Sequence, residues 1–218
     1  MTQPTSTTRT TNSNPGLKGT GASRSRNTAR FVAKAGILAA IAILLMYLEL
    51  ALPLMPSFLK FDFSEIAVLL AAFAMGPLSA ILIELVKNLA HLATSATGGV
   101  GELANFIIGS FFVGTAGFFY KYRKNRKGAF IGMLAGTLVM TAAACLINYF
   151  FMIPFYVSVM GFPLQAIIGM TQSVGNTLVT NLETLILFVF VPFNLFKGFV
   201  VSVIVALIYK RVSPLLHR

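Results

Sequence analysis

The chain has 218 residues, of which 56% are hydrophobic and only 11% are charged. Soluble domains are roughly 45–50% apolar and about 25% charged, so this composition excludes an ordinary water-soluble globular protein and indicates that lipid surrounds most of the chain. The net charge of +11 does not indicate a nucleic-acid partner, because the basic residues cluster beside apolar segments, where Lys and Arg mark the cytoplasmic face of a membrane.

The chain starts with a polar tail and a first apolar segment. Residues 1–30 are rich in Thr, Ser, Asn and Gly, which predicts a disordered cytoplasmic tail. The run from Phe31 to Leu54 is long enough to cross a bilayer, since a span needs about 20 apolar residues. Ala35 and Ala39 form a small-xxx-small pair that lets helices approach closely. Their contact lies either within the bundle or with another membrane subunit.

The apolar stretch of residues 63–94 is interrupted by Gly76-Pro77. It is either one very long helix or two helices that meet at this break, where Pro removes a backbone donor and Gly favours a helix end. Long apolar runs without strand-like alternation predict helices for the remaining spans: Glu102 to Tyr120, Ala129 to Tyr156, and Asn181 to Tyr209.

The distribution of positive charge decides the number of spans. Five basic residues lie in the 121–128 loop, and others lie in the N-terminal tail and at the C-terminus. Only six helices, with both termini in the cytoplasm, place all three clusters on one side. We therefore predict an all-α, polytopic protein of the plasma membrane, with a six-helix domain over residues 31–212 and a short cytoplasmic tail over 213–218. Residues 157–180 then lie outside, as a lid or a re-entrant piece.

Motifs for catalysis, nucleotide binding and metal binding are missing from the sequence. Gly98, Gly99 and Gly101 are not followed by the Lys-Ser/Thr of a phosphate-binding loop. The single cysteine, Cys145, excludes a disulfide within the chain and a Cys/His metal site. We therefore expect no enzyme activity, no metal and no cofactor, and any use of ATP has to come from a partner.

Ionisable groups inside spans are costly and usually functional. Glu84, Lys87 and His91, with Asn88 beside them, follow helical spacing and share a face. Glu84 and Lys87 are interpreted as an internal ion pair, which we favour slightly over direct contact with a ligand.

A second polar set lies in the last span. Asn194 and Lys197 are three residues apart and follow Pro192. Lys197 has no acid nearby in sequence, and a buried, unpaired ammonium group is costly, so it needs carbonyl or anionic partners. We favour ligand binding here. Asn148, in the fifth span, is a further polar group, although such residues often only bond a neighbouring helix.

Four acids lie where outer helices are predicted to start. They are interpreted mainly as helix-capping groups, with ligand contact at the mouth of a pocket as the alternative: Asp62, Glu65, Glu102 and Glu183.

Several motifs, in order, resemble those of one known family, the riboflavin-specific S components of energy-coupling-factor (ECF) transporters. The resemblance covers roughly residues 31–212. The matching stretches are Phe58–Glu65, Gly76-Pro77, Leu85–His91, Gly98–Phe106, Leu146–Phe150 and Pro192–Gly198.

The resemblance implies a six-helix subunit that captures riboflavin from outside with high affinity, with FMN as a second candidate ligand. Partners would be a transmembrane coupling subunit, docked at Ala35 and Ala39, and two cytoplasmic ATPases. Asn148, Asn194 and Lys197 match the family's ligand contacts. Residues expected near the pocket are Lys87, Asn88, His91, Glu102 and Asn105. The alternatives are a stand-alone secondary transporter and an S component for a different vitamin.

Overall fold

The structure is a computed structural model that describes residues 20–95 and 97–216, with side chains described for 28–95 and 97–209. The described part is almost entirely helical, as predicted. Its helices are α1 (Thr20–Met46), α2 (Ser64–Met75), α3 (Pro77–His91), α4 (Val100–Tyr122), α5 (Arg126–Ile147), α6 (Ile153–Ser158), α7 (Leu164–Ser173), α8 (Leu182–Leu185) and α9 (Val191–Leu216).

Two of the long helices each contain one wider turn. The π-helical turn Asn148–Met152 joins α5 to α6, and a second one, Ile186–Phe190, joins α8 to α9. The result is two continuous rods, Arg126–Ser158 and Leu182–Tyr209, which with Thr28–Met46 and Val100–Tyr122 are the described helices long and apolar enough to cross a membrane. Together with the shorter α2 and α3, they form the predicted set of six.

The ends of the first span differ from the prediction. The helix begins at Thr20 and not at Phe31, because the Ala, Ser and Arg residues before the apolar run are compatible with a helix that the span has already nucleated. It ends at Met46, and Leu50–Ala51 are already extended. Pro53 and the positive φ of 62° at Leu54 are incompatible with a helix that continues to the predicted end. Of the predicted tails, residues 1–19 and 217–218 lie outside the described residues.

The segment between α1 and α2 folds back as a small hairpin. Strands β1 (Leu50–Ala51) and β2 (Lys60–Phe61) pair antiparallel, with Leu50 opposite Phe61. Lys60 and Glu49 form an ion pair beside these strands. This hairpin, which we call the α1–α2 hairpin (residues 47–63), lies at the end of the bundle where α3 finishes and α4 begins.

Gly76-Pro77 separates two helices, which confirms one of the two predicted alternatives. Gly76 has φ = 93°, a value that favours glycine, and its N–H still bonds the carbonyl oxygen of Ala72. Pro77 is at the first turn of α3, where its missing N–H costs nothing.

Helix α2 is in the centre of the bundle, and its Val68 and Leu69 are fully buried. Helices α4 and α5 pack most closely, because Gly132 and Gly136 leave room for the facing backbone. A Cβ atom would lie 2.7 Å from the carbonyl oxygen of Ala116 at the first position and 2.8 Å from that of Phe112 at the second. This tight packing fixes the spacing of the helices around the site.

The segment 157–180 contains one short helix, α7, which packs on the end of the bundle opposite the basic 121–128 loop. Its Ile167 and Ile168 are buried against Ile153 of α6 and Leu185 of α8. The α1–α2 hairpin joins the same apolar cluster through Met55 and Leu59. Of these segments, the α1–α2 hairpin and α6 line a cavity at this end of the bundle.

Candidate functional site

A cavity of about 600 Å³ opens at the end of the bundle opposite the basic loop. This volume lies within the range of roughly 300–1,000 Å³ that is usual for small-molecule sites. Aromatic and apolar side chains line much of it, among them Met46, Phe58, Met140, Phe190 and Phe193. The polar lining includes Glu49, Asp62, Glu65, His91, Glu102, Asn105, Asn148, Asn194 and Lys197. The cavity therefore combines apolar surface with charged and hydrogen-bonding groups.

Asn148, Asn194 and Lys197 were predicted to contact a ligand, and the structure brings all three to this cavity. Asn148 starts the first π turn, and its Nδ2 donates to the carbonyl oxygen of Ala144 at 2.8 Å. Asn194 follows the second π turn and donates in the same way to Phe190 at 2.8 Å. Each bond fixes an amide whose oxygen and second proton are available to a ligand.

Lys197 has acidic partners that the sequence prediction missed. Its Nζ lies 3.0 Å from Oδ2 of Asp62 and 3.7 Å from Oε1 of Glu65, and it donates to Oδ1 of Asn105 at 3.4 Å. The fold supplies the anionic partner that the sequence analysis required, from 135 residues earlier in the chain, so the charge of Lys197 does not by itself demand a ligand. The ammonium group nevertheless lines the cavity, as the ligand hypothesis requires.

Lys87 and Asn88 lie behind the cavity wall. Lys87 Nζ is 2.9 Å from carboxylate oxygens of both Glu65 and Glu84, and it donates to Ser64 Oγ at 2.6 Å. The predicted Glu84–Lys87 pair is confirmed. Lys87, Ser64 and Glu84 are fully buried and do not line the cavity, so their contacts position neighbouring groups. Glu65 is also buried, but it lies at the cavity wall.

Asn88 links this buried pair to the cavity wall. Its Nδ2 donates to Oε1 of Glu84 at 3.1 Å, and its Oδ1 accepts from Nδ2 of Asn105 at 3.1 Å. Asn105 in turn accepts from Lys197. A continuous hydrogen-bonded path therefore connects the two lysines through side chains of α3, α4 and α9.

His91 connects the α1–α2 hairpin to the helices beneath it. Its Nδ1 lies 3.0 Å from Oε1 of Glu102, and its Nε2 lies 3.5 Å from Oε1 of Glu49. Glu102 also accepts from Ser95 Oγ at 2.7 Å, and the ring of Tyr47 packs against the imidazole with centroids 5.2 Å apart. His91 thus joins the α1–α2 hairpin, α3 and α4 at the rim of the cavity.

The four acids interpreted as caps have different environments. Asp62 accepts from the backbone N–H of Ser64 at 2.9 Å, as a cap would, and also pairs with Lys197. Glu65 and Glu102 bond side chains of neighbouring helices, whereas Glu183 is exposed in the first turn of α8. Charge balance was the signal that could have revealed these roles. Two lysines inside apolar spans require acidic partners, and apart from Glu84 the available acids are those at the helix starts.

The two small residues of α1, Ala35 and Ala39, have different environments. Ala39 packs against the protein's own core, and Ala35 is half-buried. Between them, Gly36 is exposed, and a Cβ atom added to it would meet no atom within 4 Å. The surface at Gly36 therefore has room for another helix to pack closely. Docking of a partner at Ala35 and Ala39 stays a prediction.

Comparison with known proteins gives a consistent result. Residues 30–209 match the family model for the ECF transporter, substrate-specific component. The riboflavin transporter RibU of Staphylococcus aureus (strain TCH60) is 35% identical over 182 residues, covering 84% of this chain and 89% of that protein. The riboflavin transporter FmnP of Bacillus subtilis (strain 168) is 31% identical over 185 residues, covering 84% of this chain and 91% of that protein.

The fold agrees with a solved structure of the S component of a bacterial ECF transporter. The TM-score is 0.68 at 31% sequence identity, covering 88% of this chain and 99% of the other. The family match, the relatives and the shared fold, together with the polar-lined cavity between helix ends, show that the chain belongs to the substrate-specific S components of ECF transporters.

Proposed function

We propose that this S component captures riboflavin in the cavity and delivers it across the membrane as the substrate-binding subunit of an ECF-type transporter. The observation that carries the proposal is the meeting of Asn148, Asn194 and Lys197 at one mostly apolar cavity. The relatives described as riboflavin transporters support the same ligand.

The chemistry of the cavity suits a flavin. Riboflavin has a large flat ring with carbonyl groups and ring nitrogens, and a hydroxylated side chain. The apolar lining, including Phe190 and Phe193, provides surface for the ring. The two asparagine amides offer both donors and acceptors, and the Lys197 ammonium group donates to carbonyl or hydroxyl oxygens.

The position of the cavity supports uptake from outside. It opens at the end away from the 121–128 loop, whose basic residues favour the cytoplasm. Both termini are then cytoplasmic, since α1 begins and α9 ends on the side of that loop. ATP hydrolysis falls to two ATPase subunits, with a transmembrane coupling subunit docked on α1 near Ala35 and Ala39.

A titration of the purified protein with riboflavin tests this function. Binding should quench flavin fluorescence, with a dissociation constant in the micromolar range or tighter. Replacing Asn194 with Ala should weaken binding at least several-fold, whereas Lys124→Gln in the exposed basic loop should bind as the wild type does. Absence of binding, or equal binding by both variants, contradicts the proposal. FMN in the same assay defines the ligand range.

The buried Glu84–Lys87 pair and His91 keep a second candidate open, a secondary transporter that uses an ion relay. The two functions differ in liposomes that contain this chain alone. The S component should bind riboflavin but not accumulate it, with or without an ion gradient. Gradient-driven accumulation by the chain alone would establish the secondary transporter instead.

A further inference from the structure

Two buried glutamates, Glu65 at the cavity wall and Glu84 behind it, share one lysine. Oε1 of Glu65 and Oε1 of Glu84 each lie 2.9 Å from Nζ of Lys87. Gly109 of α4 lies against both carboxylates, and a Cβ atom there would come within 2.9 Å of Glu65 Oε1 and would also clash with Glu84. Two groups that repel each other when ionised are therefore held side by side, in a space that has no room for another side chain.

Among the residues that the structure describes, the second oxygen of each carboxylate has no hydrogen-bond partner. Oε2 of Glu65 and Oε2 of Glu84 are buried and accept no hydrogen bond, although both side chains are fully buried. A buried ionised oxygen without a donor is strongly unfavourable. A single proton would convert one carboxylate into a donor and remove the repulsion within the pair.

The charge balance of the cluster also indicates one bound proton. Its acids are Asp62, Glu65 and Glu84, and its bases are Lys87 and Lys197. With every group ionised the cluster has one uncompensated negative charge, and one added proton makes it neutral.

Groups from the other surrounding elements do not correct this balance. From α4, Asn105 and Gly109 face the cluster, and neither carries charge. Glu102 of α4 is bonded to His91 and Ser95 instead. The basic residues of α5 are in its first turn, at the opposite end of the bundle.

We propose that the Glu65–Glu84 pair is a buried binding site for one proton. The proton is held between the two carboxyl groups and leaves Lys87 paired with the remaining carboxylate. The proton also changes the charge next to the cavity wall, because Lys197 Nζ lies 3.7 Å from Glu65 Oε1 there. In a neutral cluster Lys197 keeps its bonds to Asp62 and Asn105, and the third proton of its ammonium group can be donated toward the cavity instead of to Glu65.

Infrared spectroscopy of the ligand-free protein tests the site without any transport assay. A protonated carboxyl group has a C=O band distinct from that of a carboxylate, and glutamate labelled with ¹³C identifies the band by its shift. At neutral pH the labelled wild type should show a band equivalent to one protonated glutamate, calibrated against free glutamic acid. A spectrum with none means that both groups are ionised and overturns the proposal, and a band for two overturns the count.

Isosteric variants assign the band to the pair. Glu84→Gln and Glu65→Gln should each remove it, because the remaining acid then pairs with Lys87 alone. Glu183→Gln, at an exposed acid of α8, should leave it unchanged. Persistence of the band in both pair variants, or its loss in Glu183→Gln, would place the proton elsewhere. The wild-type count stands by itself should a variant fail to fold.

Discussion

The ion pair between Asp62 and Lys197 allows binding and stability to be separated. The two groups are 3.0 Å apart, with side chains only 9% and 7% exposed. At an effective dielectric constant of about 20, their attraction at this distance is about 5–6 kcal/mol. Removing one partner of a buried pair leaves an uncompensated charge, which typically costs about 3–5 kcal/mol.

We therefore expect Lys197→Met to lower the melting temperature in detergent on the order of 10 °C. Asp62→Asn should lower it less, because Glu65, 3.7 Å from Lys197 Nζ, remains as a counter-charge. The double variant Asp62→Asn/Lys197→Met leaves no unpaired charge at this contact, so it should regain most of that loss. It should not regain riboflavin binding, because the ammonium donor is gone. The measurements are thermal unfolding and fluorescence titration of the three variants and the wild type.

Two outcomes would refute this reasoning. Wild-type affinity in the double variant would show that Lys197 does not contact the ligand. If the decrease in melting temperature of the double variant equals the sum of the decreases of the two single variants, the residues act independently, contrary to the 3.0 Å contact.

Two further predictions concern packing and the rim of the cavity. Gly109→Ala should destabilise the protein by about 1–3 kcal/mol in thermal unfolding, because its methyl group would clash with Glu84. The control Gly36→Ala, at an open position, should have no such cost. Equal stability of the two variants would contradict the buried contact. Glu49→Gln should increase the dissociation rate of riboflavin several-fold in stopped-flow fluorescence. The substitution weakens the contact with His91 that holds the α1–α2 hairpin at the rim of the cavity. An unchanged rate would show that this contact does not hold the hairpin over the ligand.

Much of the fold could be predicted from the sequence because apolar run lengths and basic clusters are local signals. Gly76-Pro77 marked a helix junction, and the number of spans followed from the charge bias. Side chains such as Asn194 and Lys197 were recognisable because polar groups are rare inside spans. These features need no knowledge of how the helices pack.

The rest depended on contacts between distant segments. Asp62 lies next to Lys197 only after the bundle has formed, and the sequence alone suggested a helix cap. The end of α1 at Met46 was missed because the following residues are apolar enough to continue a span, although they form the α1–α2 hairpin. The π turns were missed because no residue pattern distinguishes them from ordinary helix.

The wide turn at Ile186–Phe190 directly precedes the helix that carries Lys197. A turn of this kind accommodates one residue more than a regular turn, and each residue of an α-helix corresponds to a rotation of about 100°. If the same residues formed a regular α-helix, every side chain downstream would be rotated by about 100° relative to the upstream helix. The wide turn absorbs one residue and thereby keeps the final rod in the angular phase that directs the amine of Lys197 to the cavity.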